Sequence, residues 1–163
     1  MIKVGDKLPE ATFIVMGEDG KEQRTISDLC AGRKVVIFGV PGAFTPTCHL
    51  NHLPGYINTI DGLHELGVDE VAVVAANDVY VMDAWAKASG GKGQITFLAD
   101  GNADFAKATG LDLDASAGGM GTRFQRFSMV VEDGTVTHMN LEENPGAVVT
   151  SGAAGIIAQL KGE

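Results

Sequence analysis

The sequence predicts a mixed α/β fold: a central sheet of parallel and antiparallel strands flanked by helices, with a β-hairpin added at the N-terminus. Three observations predict it. The runs "KVVIFGV" (34–40) and "DEVAVVAAN" (69–77) are apolar without alternation, the mark of strands covered on both faces. Each is followed by a stretch of helical periodicity. "RFSMVVEDGTVTHMN" (126–140) instead reads as two strands joined at Asp133-Gly134, a pair that favours a tight antiparallel turn. Strand–helix alternation followed by a hairpin and a last helix gives a mixed sheet.

The elements follow in order. Residues 11–16 and 22–25 alternate around "GEDGK" and predict the hairpin. "TISDLCAG" is a short helix ending near Gly32, and strand 34–40 follows. The next helix starts at Thr45-Pro46 and runs to about Leu66, with Leu50, Leu53, Ile57, Ile60 and Leu63 at helical spacing. Pro54-Gly55 interrupts it, so a kink is expected between Leu50 and Pro54. After strand 69–77 come a helix at 79–89 that carries Trp85, a strand "ITFLAD" (95–100) and a helix "ADFAKATG" closed by Gly110. The hairpin at 126–140 and the helix "SGAAGIIAQLK" end the chain. With no linker, repeat or low-complexity tract, residues 1–163 read as one domain.

Composition excludes several functions. A formal net charge of −9 and a pI near 4.8 argue against nucleic acid or an anionic membrane as partner, since both need a basic patch. The N-terminus lacks the apolar stretch of a signal peptide, and no apolar run approaches the roughly 20 residues of a membrane span. Two cysteines are too few for a disulfide framework and have no zinc-ligand spacing. A reducing compartment, the cytoplasm, fits these features.

The chemistry centres on "GVPGAFTPTCHL" (39–50). With Thr45 as N-cap and Pro46 as first helical residue, Cys48 is the third, beside free N–H groups and the positive end of the helix. That setting favours a reactive thiolate. The competing view is that a free cysteine is just a small buried hydrophobe, and magnitudes bear on the choice. An ordinary thiol, titrating near pH 8.5, is about 3% ionised at neutral pH, and lowering it to about 6 takes roughly 3.4 kcal/mol. A helix end supplies about 0.3–1 kcal/mol, or about 2 when partly buried. A cation must supply the remainder, yet no Lys or Arg lies between Lys34 and Lys87. The charge must come from a distant segment, and "GTRFQRF" offers Arg123 and Arg126 beside a strand. An arginine buried there costs stability unless it meets an anion.

Other signals are weaker. "ASGGKGQ" lacks the spacing of a phosphate loop and precedes a strand. "DLDASAGGMGTR" places Ala117 and Arg123 where a calcium loop needs glycine and an acid. His49 and His52 flank Cys48, but three such residues make no metal site: His49 must point elsewhere, and His52 lies either on the helix surface or one turn below the sulfur. His64 and His138 read as surface residues, and Trp85 as core.

"PGAFTPTC", continuing into "HLNHLPGY", resembles the peroxidatic motif of peroxiredoxins, Pro-x-x-x-Thr-x-x-Cys, in its type II (peroxiredoxin-5-like) form. "KVGDKLPEATF", "AANDVYVMDAW", "ITFLAD", "RFSMVVEDG" and "IIAQL" extend the resemblance along essentially the whole chain. The resemblance implies a thioredoxin-like fold, which the element order also matches, and thiol-dependent reduction of hydrogen peroxide and alkyl hydroperoxides without a cofactor or metal. It makes Cys48 the peroxidatic cysteine, Thr45 its hydroxyl partner, Pro41 the residue shielding the loop, and Arg126 the catalytic guanidinium. Pro41, Thr45, Thr47, Cys48 and Arg126 then form the peroxide-binding set. A homodimer is also implied.

Relatives that resolve the oxidised cysteine with a second one place it at positions matching Thr150 or Val73 here, and neither is cysteine. Cys30 and Cys48 flank opposite ends of strand 34–40, about 20 Å apart at about 3.3 Å per residue, whereas a disulfide needs Cα atoms within about 7 Å. A one-cysteine enzyme recycled by an external thiol is expected, glutathione with glutaredoxin first and thioredoxin second. Two rivals remain at this point. A cysteine hydrolase would need an orienting partner for His49 or His52, and none is evident. A thioredoxin-fold redox-sensing or binding module would show no peroxide turnover.

Overall fold

The computed structural model describes residues 1–162. Its main sheet has seven strands: β1 (Thr12–Gly17), β2 (Gly20–Thr25), β3 (Lys34–Gly39), β4 (Glu70–Ala75), β5 (Thr96–Ala99), β8 (Phe127–Glu132) and β9 (Thr135–Leu141). They run in the order β2-β1-β5-β4-β3-β8-β9. β3, β4 and β5 are parallel neighbours, and every other pairing is antiparallel. This is the expected mixed sheet with its N-terminal hairpin. Five α-helices accompany it: α1 (Ile26–Cys30), α2 (Leu53–Glu65), α3 (Val79–Ser89), α4 (Asp104–Thr109) and α5 (Ala153–Leu160).

Strand alternation divides the interior in two. Val36, Phe38, Val71 and Val73 point to the face that packs against Leu53, Tyr56 and Leu63 of α2, Trp85 of α3 and Ile156 of α5. Val35, Ile37, Ala72 and Val74 point to the other face, against Leu29 of α1 and Phe105 of α4. The continuous apolar runs are explained by this double burial. Cys48 belongs to the first face and Cys30 to the second, so the sheet separates them, and neither is in a disulfide.

Local chemistry sets the boundaries. Thr25 and Asp28 form a reciprocal capping box at the start of α1. Asp133 and Gly134, at φ 49° and 79°, make the left-handed turn expected between β8 and β9. One element was not expected: β6 (Asp112–Asp114) and β7 (Thr122–Phe124) form a separate two-stranded sheet around the Gly-rich turn at 115–121. It ends just before Arg126 and brings Arg123 and Met120 against the segment that follows β3.

Candidate active site

Three segments build the site: the 40–52 stretch after β3, the entry to β8, and the loop between β9 and α5. After Gly39 the chain turns sharply. Ala43 N–H donates to Asn77 Oδ1 at 2.9 Å, and Arg123 Nη1 donates to the Pro41 carbonyl at 3.3 Å. A Cβ at Gly42 would lie 2.7 Å from Arg123 Nη1, so glycine is what lets the guanidinium lie against the loop. Phe44 sits at φ 63°, a left-handed conformation that costs a non-glycine residue about 1 kcal/mol or more. The contacts from Asn77 and Arg123 hold the turn in that form.

The helix opens where expected: the Thr45 carbonyl accepts from His49 N–H at 2.8 Å, and Pro46 is its first residue. The expected Thr45 side-chain cap is absent among the described residues; the hydroxyl donates instead to the Gly42 carbonyl at 2.7 Å. Gly42 is buried, and its carbonyl also accepts from Thr45 N–H at 3.4 Å, so one residue supplies both of its donors. Thr47 Oγ1 likewise donates to the Gly146 carbonyl, at 2.9 Å. The expected kink takes the form of a π-helical segment, Cys48–His52, in which Leu53 N–H bonds to the Cys48 carbonyl five residues back. The wider turn accommodates the Pro54 ring, which would clash with the Leu50 carbonyl of a regular α-helix.

Cys48 and Arg126 are both buried, and Arg126 Nη2 lies 2.9 Å from Cys48 Sγ. Arg126 Nε donates to the Pro145 carbonyl at 2.8 Å, and Nη1 donates to His52 Nδ1 at 2.9 Å. Of the two candidate arginines, the one at the β8 entry therefore meets the sulfur, while Arg123 braces the loop. His52 is not a surface residue; it is 1% exposed, with Nε2 2.9 Å from the Ser151 carbonyl. A guanidinium can only donate, so Nδ1 is the acceptor and Nε2 carries the proton. Burial, reinforced by the adjacent Arg126 charge, lowers the His52 pKa to about 4 despite the Ser151 bond, which keeps the ring neutral. Tyr56 Oη also donates to Ser151 O, at 2.7 Å, and its ring stacks on Phe38 at 4.0 Å.

His52 makes a testable contribution to stability. Above its ordinary pKa of 6.5 the ring is neutral in both folded and unfolded chains. As pH falls from 6.5 towards 4, the unfolded chain takes up a proton that the fold refuses, so stability declines, by on the order of 3 kcal/mol over the full window. Denaturant unfolding at pH 7 and pH 5 should show a smaller loss for His52→Asn than for the wild type; equal losses would contradict the buried neutral ring.

Other expected residues lie apart from the sulfur. His49 points away and accepts from Trp85 Nε1 at 3.0 Å, so the Trp85 indole is both core and anchor. Cys30 is buried, and desolvation, only partly offset by Arg33, raises its pKa to about 11, the opposite of an activated thiol. Among the described residues no group of three or more His, Cys, Asp or Glu side chains could hold a metal ion. Sequence reasoning missed Ser151, Tyr56 and the carbonyls of Pro145 and Gly146. Main-chain acceptors carry no side-chain signature, and "ENPGAVVTSG" shows only that a loop is present.

Comparison with known proteins is consistent along the whole chain. The profile of the Redoxin family matches residues 3–157. Peroxiredoxin-2C of Oryza sativa subsp. japonica is 45% identical over 160 residues, covering 98% of both chains. The chloroplastic Peroxiredoxin-2E-2 of the same plant is 44% identical, over 98% of this chain and 72% of its own. Reduced Prx3 of Vibrio vulnificus, solved in complex with hydrogen peroxide, superposes with a TM-score of 0.93 at 46% identity, covering 98% of this chain and 99% of its own.

Proposed function

The chain belongs to the redoxin family as a peroxiredoxin, a thiol-dependent peroxidase of the thioredoxin-like superfamily, and on that premise we propose that Cys48 is its peroxidatic cysteine and Arg126 the group that activates it. One observation carries this reading: the buried Arg126 Nη2 at 2.9 Å from the Cys48 sulfur, at the one point where a chain without nearby cations needs one.

The Cys48 thiolate attacks the terminal peroxide oxygen. The S–O bond forms as the O–O bond breaks, and negative charge moves from sulfur to the leaving oxygen, which takes up a proton and departs as water or an alcohol. Donors fixed in place before the reaction are the main means of stabilising such a moving charge. Arg126 uses three N–H groups on Pro145, His52 and Cys48. Two of its five donors are left for the peroxide oxygens. Thr45, its proton committed to Gly42, keeps its lone pairs and accepts from the peroxide O–H. Pro41 and Thr47 complete the substrate-binding set by holding the loop and the first turn.

The product is a sulfenic acid on Cys48. With Cys30 across the sheet, an external thiol attacks that sulfur, releases water and forms a mixed disulfide, and a second thiol restores the thiolate. Glutathione with glutaredoxin is the proposed reductant, and thioredoxin the second choice. Exposed apolar Phe44, Leu50 and Val149, on segments that flank the site, support a homodimer. No described helix is long and apolar enough to cross a membrane; the two free cysteines support a reducing compartment, with the cytoplasm proposed. Peroxide consumption measured with each thiol system tests the reading. Turnover with glutathione and glutaredoxin above that with thioredoxin is expected; turnover with neither would contradict the one-cysteine cycle.

A further inference from the structure

Glu142 lies just past the end of β9, and its backbone N–H donates to the Arg126 carbonyl at 3.0 Å. Its side chain is nearly buried and, among the described residues, pairs with no Lys or Arg. The carboxylate turns instead to its own loop. Oε2 accepts from the N–H groups of Val149, Thr150 and Ser151 at 2.9, 2.9 and 2.8 Å, and from Ser151 Oγ at 2.6 Å. Oε1 accepts from Thr150 N–H at 3.2 Å. Burial alone would raise its pKa, but these bonds from Ser151, Val149 and Thr150 outweigh it and hold the carboxyl below the ordinary carboxylate value.

The loop held in this way supplies the carbonyls behind the sulfur. Pro145 O receives Arg126 Nε, Gly146 O receives Thr47 Oγ1, and Ser151 O receives His52 and Tyr56. Ser151 is the pivot: its N–H and hydroxyl bind Glu142 while its carbonyl fixes His52 Nε2, and His52 Nδ1 in turn fixes Arg126 Nη1. Resting on the assignment of Cys48 and Arg126 above, we propose that Glu142 is a positioning residue for peroxide reduction, holding the 143–151 loop in the form that aims Arg126, through His52 and Pro145, at the Cys48 sulfur. A side chain of this length suits the task because its terminal oxygen must reach four donors converging from three successive residues.

The test is the second-order rate constant for hydrogen peroxide as a function of pH, with melting temperature measured alongside. Glu142→Ala releases all the bonds and should lower the rate constant on the order of tenfold to a hundredfold, as expected when a misplacement near 1 Å reaches the reacting groups. Its pH profile should also differ from that of the wild type, because a displaced guanidinium no longer donates to the sulfur in the same way. Glu142→Gln keeps the reach and one acceptor oxygen and should retain most of the rate. Glu142→Asp keeps the charge but withdraws it by one methylene and should fall below Glu142→Gln. A Glu142→Ala variant that melts earlier yet keeps the wild-type rate and pH profile would reduce Glu142 to a staple of the fold and overturn the inference. If Glu142→Ala does not fold, the other two decide: Glu142→Gln above Glu142→Asp supports positioning, and Glu142→Asp at the wild-type rate overturns it. A wild-type rate that survived Cys48→Ser would instead overturn the site assignment beneath it.

Discussion

Cys48→Ser is expected to abolish peroxide reduction and leave the fold intact. Reaction needs an anionic sulfur, and a serine hydroxyl beside the same guanidinium remains protonated at neutral pH. Structurally the exchange is mild. The side chain keeps its shape in the cluster that includes Phe38, Leu53 and Tyr56, and Arg126 Nη2 can donate to the new oxygen as it does to sulfur. A buried hydroxyl with a partner avoids the roughly 1–3 kcal/mol cost of an unpaired one. The melting temperature should therefore stay near that of the wild type while thiol-dependent turnover disappears. Retention of even about a tenth of the wild-type rate would exclude Cys48 from the chemical step.

Arg126→Met should have the next largest effect. Methionine fills most of the arginine volume but removes the guanidinium, and three groups lose a donor at once: Cys48 Sγ, His52 Nδ1 and the Pro145 carbonyl. The sulfur then loses its neighbouring positive charge, and the charge moving onto the peroxide oxygens meets no preorganised donor from this residue. Loss of one such donor typically costs on the order of a hundredfold or more in rate. His52 and Pro145, left unsatisfied, would each cost about 1–3 kcal/mol of stability, so some drop in melting temperature is also expected. Arg123→Met gives the contrast. Arg123 touches the carbonyls of Met120 and Pro41 and lies against the loop at Gly42, so its loss should loosen the turn and slow the reaction less. Rate constants for hydrogen peroxide across pH distinguish the two. A larger loss in Arg123→Met would place the activating charge on the wrong arginine.

Much of this site was legible because its chemistry imposes a need that composition cannot hide. The absence of Lys and Arg from 35 to 86 forces the stabilising charge to come from elsewhere in the chain; the residues alone left Arg123 and Arg126 open, the resemblance pointed to Arg126, and its Nη2 lies 2.9 Å from the sulfur. The helix start at Pro46 and the disturbance before Pro54 follow from backbone rules that act locally. What failed depended on tertiary competition. Thr45 has the right side chain to cap a helix, but its hydroxyl is turned back to the buried Gly42 carbonyl instead of to a first-turn N–H. For His52 the sequence left two places open, and the partners that decide for the buried one, Arg126 and the Ser151 carbonyl, lie 74 and 99 residues away. The β6–β7 pair escaped notice because strands of three residues around a Gly-rich turn carry too few side chains to show a period.

The most direct test of the account is where the first oxygen lands. Reduced protein is treated with one equivalent of hydrogen peroxide in the absence of thiol, trapped with a sulfenic-acid reagent, and mapped by peptide mass spectrometry. The account predicts the trapped adduct on Cys48, held beside Arg126, and none on Cys30, whose buried thiol stays protonated across the sheet. An adduct on Cys30, or a Cys30–Cys48 disulfide formed in stoichiometric yield, would contradict it.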